Sequence, residues 1–245
     1  MHRQRWISIV VVLVALAPAA SAGRTPFAWS YGTEVNPERM VESETWISEE
    51  NKKGDARADE TLIWWGPTVG ITSHLEGAIP IEFSRNADTA TPGAVHLQLW
   101  GGELRYRFNS PDPIEAGPVT ALLRVAAFRM AEQRSGVRSE ADFVVAAEHG
   151  RFLASVDLGM VSEHTPDATS LEVRPSLGVS VLAVDQLRLG VEAYSELNVQ
   201  GDSVSWVVIG PSASWTHGRF WLAAALGEGI VNIHTAPRVK FGIQF

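Results

Sequence analysis

The sequence predicts an all-β fold, a closed antiparallel transmembrane β-barrel of about twelve strands, from three features. The last eight residues alternate strictly: Val239, Phe241, Ile243 and Phe245 point one way, and Arg238, Lys240, Gly242 and Gln244 the other. Shorter alternating runs recur along the chain, punctuated by Gly, Pro, Asn and Asp, and helical periodicity is nearly absent. The first residues carry an export pattern. A strand with one apolar and one polar face suits a wall between lipid and a polar interior.

The export pattern consists of Arg3 and Arg5, then an apolar run from Trp6 to Ala17 broken by Ser8, then the small-residue site Ala20-Ser21-Ala22. The apolar run is shorter than the roughly 20 residues a spanning helix needs, which argues against a retained anchor. No Cys follows the site, so a lipoprotein is not indicated. Residues 1–22 therefore read as a signal peptide, 23–39 as a periplasmic N-terminal lead-in and 40–245 as a barrel in the bacterial outer membrane. The terminal strand, with Val239, Phe241, Ile243 and a final Phe245, resembles the signal read by the barrel-assembly machinery.

Composition narrows the alternatives. Without Arg3 and Arg5 the chain keeps 18 basic residues (20 less two) against 28 acidic ones, which argues against nucleic acid as a partner. There are no cysteines, so no disulfide framework holds an exported fold together. Mean hydropathy is +0.01, and no second long apolar segment follows the first. A soluble β-sandwich fits that composition as a barrel does; a helical membrane protein does not.

The expected strands run near 40–48, 59–70, 75–84, 94–108, 118–130, 138–148, 152–163, 170–182, 187–199, 203–215, 219–228 and 237–245, mostly near the roughly 9–11 residues of a tilted transmembrane strand. Turns at Thr72-Ser73-His74, His149-Gly150-Arg151, Ala183 to Gln186 and Thr216-His217-Gly218 are tight, whereas Glu49 to Ala58, Arg85 to Gly93 and Ala131 to Val137 are longer and polar. Such barrels put short turns in the periplasm and long loops outside. Asn109 to Gly117 is a longer, Pro-rich exception on the periplasmic side. In the strand near 94–108 the apolar set switches from Val95, Leu97 and Leu99 to Leu104, Tyr106 and Phe108, which predicts a β-bulge across Gly101-Gly102. Near 203–215 no register is legible, because Trp206 to Ile209 are all apolar. Trp46, Trp64, Trp65, Trp100, Trp206, Trp215 and Trp221 lie near strand ends or turns and read as interfacial girdles, with core aromatics of a sandwich as the alternative. An open edge is not viable in hydrocarbon, so the first strand must pair with the last.

Polar parity assigns an inward set: Glu42, Glu44, Glu76, Glu82, Glu103, Arg105, Arg107, Arg124, Asp142, Asp157, Glu172, Arg174, Arg188, Glu192, Glu196, Arg238 and Lys240. These charges either line a narrow pore or pair across the interior and fill it; twelve strands sit between the filled and the open sizes. Glu103, Arg105 and Arg107, with Arg124 on the next strand, form the densest basic group, which in a pore would favour anions. Glu192 and Glu196 are placed to pair with Arg174 and Arg188 on the adjacent strand.

Enzymatic signals are weak. No Gly-x-Ser-x-Gly elbow, His-Glu-x-x-His motif, EF-hand loop or phosphate-binding glycine loop is present, so no catalytic residue, cofactor or metal is expected. Ser162 and His164 lie close near an outer rim, where an outer-membrane lipid-modifying enzyme would carry its pair. The expected function is a narrow passive channel or transporter for small solutes, with a closed structural or interaction barrel as the alternative. Its partners would be outer-membrane lipid, the assembly machinery and small solutes.

The opening stretch Pro26-Phe27-Ala28-Trp29-Ser30-Tyr31-Gly32-Thr33-Glu34-Val35-Asn36-Pro37, followed by Glu42, Glu44 and Trp46, resembles the start of a group of poorly characterised Gram-negative barrels. Val69-Gly70-Ile71-Thr72-Ser73-His74-Leu75-Glu76, then Ile79-Pro80-Ile81-Glu82-Phe83, is similar to a hairpin of outer-membrane transporters of the meta-pathway phenol degradation type. Glu38-Arg39 departs from the Gly or Lys usual after that Pro. The resemblance implies a barrel and supplies neither substrate nor catalytic residues. Read physically, Phe27, Trp29 and Tyr31 either tuck into the periplasmic mouth and partly close it, or belong to a disordered terminus.

Overall fold

The computed structural model describes residues 25–53, 59–86, 93–110, 117–133 and 135–245. The expected signal peptide and parts of four connections lie outside these residues. One sheet holds β1 (Val41–Lys52), β2 (Glu60–Gly70), β3 (Leu75–Ala78), β4 (Ile81–Asn86), β5 (Val95–Arg107), β6 (Val119–Met130) and β7 (Val137–His149). It continues through β8 (Phe152–His164), β9 (Thr169–Val184), β10 (Leu187–Gln200), β11 (Trp206–His217), β12 (Phe220–Val231) and β13 (Ile233–Gln244). Sequential neighbours other than β3 and β4 pair antiparallel, and β1 pairs with both β2 and β13, so the sheet closes on itself and leaves no open edge.

The closed wall has twelve positions, because β3 and β4 share one. Both lie between β2 and β5, and Thr68↔Ala78 and Trp65↔Ile81 keep one register with β2. Ile79-Pro80 interrupts this strand because proline has no N–H to give the ladder. The Ile79 amide donates to Pro67 O (3.2 Å) and the Gly101 amide to Pro80 O (3.1 Å), which ties the break to both neighbours.

The tight turns expected from sequence share one end, although the one-residue β12–β13 connection lies at the other. Gly150-Arg151, Asp185-Gln186 and Gly218-Arg219 join strands at one end, where the 71–74 turn and both chain ends of the barrel also lie. There the Phe245 amide donates to Val41 O at 2.9 Å. Gly150 (φ 61°) and Gly218 (φ 58°) adopt the left-handed backbone that such two-residue turns require. Several boundaries differ from the sequence reading, among them β11, which starts at Trp206 instead of 203. β1 extends to Lys52, β12 to Val231, and β13 starts at Ile233 instead of 237. Asn232, at φ 53°, makes the whole β12–β13 connection. Gly227, Gly229 and Pro237 look like breakers in sequence, yet each is accommodated within a paired strand.

The wall is apolar outside and polar inside. In β13, Val239, Ile243 and the terminal Phe245 are exposed and Phe241 half-buried, while Arg238, Lys240, Gly242 and Gln244 are buried. The β5 parity does flip, but not at Gly101-Gly102. Glu82 faces Leu99 and Phe83 faces Leu97, so Gln98 is the extra residue and Leu99 turns inward. The tryptophans divide between the two faces of the wall. Trp65, Trp100 and Trp215 are on the outer face, but Trp46, Trp64, Trp206 and Trp221 are buried inside. Trp46 shares the parity of Glu42 and Glu44, which fixes its direction regardless of its nearness to a strand end.

Candidate functional site

The lumen is not empty. Residues 27–36 fold back from β1 into its tight-turn half, with Phe27, Ala28, Ser30 and Asn36 fully enclosed. The wall holds this segment through its own inward side chains. On β10, alternation turns Glu192 inward, and its carboxylate accepts three successive amides: Ala28 (2.8 Å), Trp29 (2.7 Å) and Ser30 (3.3 Å). Across the lumen, Lys240 Nζ donates to Ser30 O at 3.2 Å. Asp157 accepts the Tyr31 amide (3.2 Å) and Glu76 the Asn36 amide (2.7 Å). Hydroxyl pairs Ser30–Ser176 (2.7 Å) and Thr33–Thr120 (2.6 Å) add to these, and Asn36 reaches Thr68 and Gln244. Charge-assisted bonds to backbone amides in an enclosed site are among the stronger ones available.

The rings of the segment are seated as specifically. Phe27 packs with Ala146 and Leu153, and lies where a side chain on Gly178 would be, its Cε1 2.6 Å from that absent Cβ. Trp29 stacks on Tyr194 (centroids 4.5 Å) and meets Trp206 edge-on (5.9 Å). The Arg238 guanidinium lies between Trp29 (4.8 Å) and Trp46 (4.1 Å). Tyr31 is faced by Arg124 (4.6 Å), Lys240 (4.7 Å) and Arg105 (5.5 Å). Burial pushes the Tyr31 hydroxyl far above the usual phenol range, so a neutral ring meets these three cations.

Above the segment, in the long-loop half, a cavity of about 240 Å³ remains, floored by Trp29 and Tyr31. Its wall charges pair mostly with one another. Lys52 bridges Glu50 (3.0 Å) and Glu60 (3.5 Å), and Arg138 bridges Glu140 (2.6 Å) and Glu163 (3.4 Å). Arg174 bridges Glu172 (3.0 Å) and Glu196 (3.3 Å). Arg124, at the junction of the halves, reaches Glu103 (2.6 Å), Glu140 (2.8 Å) and Asp142 (2.6 Å).

The inward set by parity is thus placed residue by residue. Glu42, Glu44, Glu76, Glu82, Glu103, Arg105, Arg124, Asp142, Asp157, Glu192, Arg238 and Lys240 are buried in the lumen. Arg107, Glu172, Arg174, Arg188 and Glu196 are half-buried on the same parity. Of the expected pairs, Arg174 meets Glu196, but Glu192 takes the segment's amides and Arg188 takes Glu148 and Arg151 O. Arg105 and Arg124 of the basic group do not present free positive charge to the lumen as an anion filter would. Arg105 is held by Glu44 (3.0 Å), Glu76 (3.3 Å) and Glu103 (2.5 Å), and Arg124 also has three carboxylates. Sequence reasoning missed Glu50, Lys52, Glu60, Arg138, Glu140 and Glu163. Arg138 and Glu140 share the β7 parity of Asp142, a signal that was available; Glu50 and Lys52 fell beyond the expected end of β1. His164 Nδ1 meets Thr169 Oγ1 at 2.8 Å across the β8–β9 pairing, while Ser162 lies opposite Leu171.

No family model and no curated protein matches the chain. Solved structures do. An outer membrane channel from Pseudomonas putida F1 is 9% identical, with a TM-score of 0.59 over 87% of this chain and 98% of that one. The β domain of the Bordetella autotransporter BrkA is 11% identical, TM-score 0.55, over 84% and 99%. The KdgM porin, in complex with disordered oligogalacturonate, is 6% identical, TM-score 0.54, over 84% and 99%. At these identities the likeness concerns the fold alone: the chain has the architecture of an outer-membrane β-barrel.

Proposed function

We propose that the protein is an outer-membrane channel for small solutes whose N-terminal segment closes the tight-turn half of its lumen. Residues 1–22 are then the removed export signal, and the tight turns and both barrel termini lie in the periplasm. The outer face supports the membrane setting, with Val156, Leu158, Leu177, Val179, Leu189 and Val191 exposed side by side on neighbouring strands. The terminal strand keeps Val239, Ile243 and Phe245 on that face, where the assembly machinery would read them.

The observation that carries the reading is how the segment is held. Residues 27–36 bond to the wall through wall side chains, while the ladders from β1 round to β13 close without them. Such a segment can leave without opening the barrel. The enclosed charges also suit a water-filled path once it has left. A closed structural barrel is the second reading, favoured by the filling of the lumen in this state.

Single-channel conductance in planar bilayers separates the two. The refolded chain 23–245 should show rare openings, and a chain beginning at residue 37 steady ones. A folded, heat-modifiable 37–245 barrel that never conducts would establish the structural reading. The chain has no cysteine, so Ser30→Cys with Ser176→Cys offers an independent lock, their hydroxyls being 2.7 Å apart. Oxidation should abolish openings and a reductant restore them.

A further inference from the structure

We infer that the cavity in the long-loop half is a binding site for small organic cations, of the ammonium and quaternary ammonium class. The inference deepens the channel reading by naming its solute class, and rests on that reading for transport though not for binding.

Charge comes first. Among the described residues, nine carboxylates and five basic side chains line the cavity. Four of the five basic groups are neutralised by pairing, since Lys52, Arg138 and Arg174 are each shared by two carboxylates and Arg124 by three, and the fifth, Arg238, is taken up between Trp29 and Trp46. A ring of acids in excess favours cations. This reverses the preference for anions that the basic residues suggest when read in sequence alone.

Glu82 makes the site specific. It is 5% exposed, lines the cavity, and its Oε1 has no hydrogen-bond partner among the described residues. A buried carboxylate oxygen aimed into a cavity favours a donor or a cation there. Its register neighbour on β2 is Trp64, which also lines the cavity and lies parallel to Trp46 at 6.1 Å. A carboxylate beside indole faces, in an enclosed site, is the chemistry that recognises a soft cation. Arg238 shows that these walls accept one, since its guanidinium already lies between Trp29 and Trp46. The volume of about 240 Å³ equals about eight waters at about 30 Å³ each, which suits a small molecule and not a polymer.

The test is equilibrium binding to the refolded 23–245 barrel in detergent, by calorimetry and tryptophan fluorescence. Tetramethylammonium chloride is the probe, and sodium chloride and sodium benzoate at equal ionic strength are the controls. Tetramethylammonium should bind saturably and benzoate should not. Glu82→Gln and Trp64→Leu should each weaken binding about tenfold, which corresponds to about 1.4 kcal/mol, with heat-modifiability retained. If Glu82→Gln does not refold, Glu82→Asp keeps the charge and withdraws it by one methylene, and should weaken binding in the same direction. No saturable response from the folded barrel, an equal response to benzoate, or an affinity unchanged in the Glu82 variant would each overturn the inference. A barrel that binds the probe but never conducts sinks the channel reading alone, and one that conducts without binding sinks this inference alone.

Discussion

The two halves of the lumen are built by one alternation and satisfied in different ways. In the tight-turn half, Glu192, Asp157, Glu76 and Lys240 spend their hydrogen bonds on the N-terminal segment. In the long-loop half, Lys52, Arg138 and Arg174 and their carboxylates bond to one another around a cavity. An inward charge is therefore not by itself a pore-lining charge. Its partner decides its part: a backbone amide makes it a seat for the plug, a neighbouring side chain makes it wall, and an open position such as Glu82 makes it a site.

The largest effect is expected at Arg124, where the halves meet. Its guanidinium serves Glu103, Glu140 and Asp142, and faces Tyr31. Arg124→Met takes a cation from three enclosed carboxylates; Glu103 keeps Arg105 and Glu140 keeps Arg138, but Asp142 loses its ion pair, and the change should cost about 3–5 kcal/mol of barrel stability. The midpoint of urea-induced unfolding in detergent should fall accordingly. An unchanged midpoint would mean the network is not what holds this region.

Glu192→Gln should act on one half only. A carboxamide keeps one acceptor oxygen for three amides and loses the charge, a loss of about 2 kcal/mol from the seat. Residues 27–36 should become open to protease while the unfolding midpoint of the barrel stays near that of the wild type. If the midpoint fell in step with protection, the segment would be part of the barrel's cooperative core and the contrast between the halves would fail.

Gly178 tests the same contrast sterically. A Cβ there would sit 2.6–2.8 Å from three carbons of the Phe27 ring. Gly178→Val should displace the ring at a cost of about 1–3 kcal/mol, and raise the frequency of conductance openings without altering their size.

The architecture was legible because alternation, turn chemistry and the ban on unpaired edges are local rules. They yield twelve wall positions and the face of each terminal residue from Arg238 to Phe245. Legibility failed where a face meets something other than lipid or water. Trp206 to Ile209 hid their register because the inner positions, Trp206 and Val208, cluster with Ala28 and Trp29 of the segment. Apolar residues thus occupy both parities, and period two disappears. The bulge was misplaced for a related reason. Gly101-Gly102 is the natural kink by composition, but the register slips at Gln98, and Leu99 goes inward to pack with Phe128. The segment's seat was hidden altogether, because a carboxylate that will accept three amides looks in sequence like any other inward Glu.

The smallest predicted effect returns to that hidden register. Val208 is 1% exposed and packs among Ala28, Trp29 and Trp206, whereas its neighbour Ile209 is 43% exposed on the outer face. Val208→Thr keeps the shape and buries a hydroxyl among apolar groups, at a cost of about 1 kcal/mol. That cost should appear as faster proteolysis of the N-terminal segment with little change in barrel unfolding. Ile209→Thr alters the opposite face by a comparable change and should leave the segment's protection as it is. Equal responses from the two would mean that the segment does not read the inner face of β11. Unequal ones would show that an apolar patch inside this barrel exists to hold Trp29.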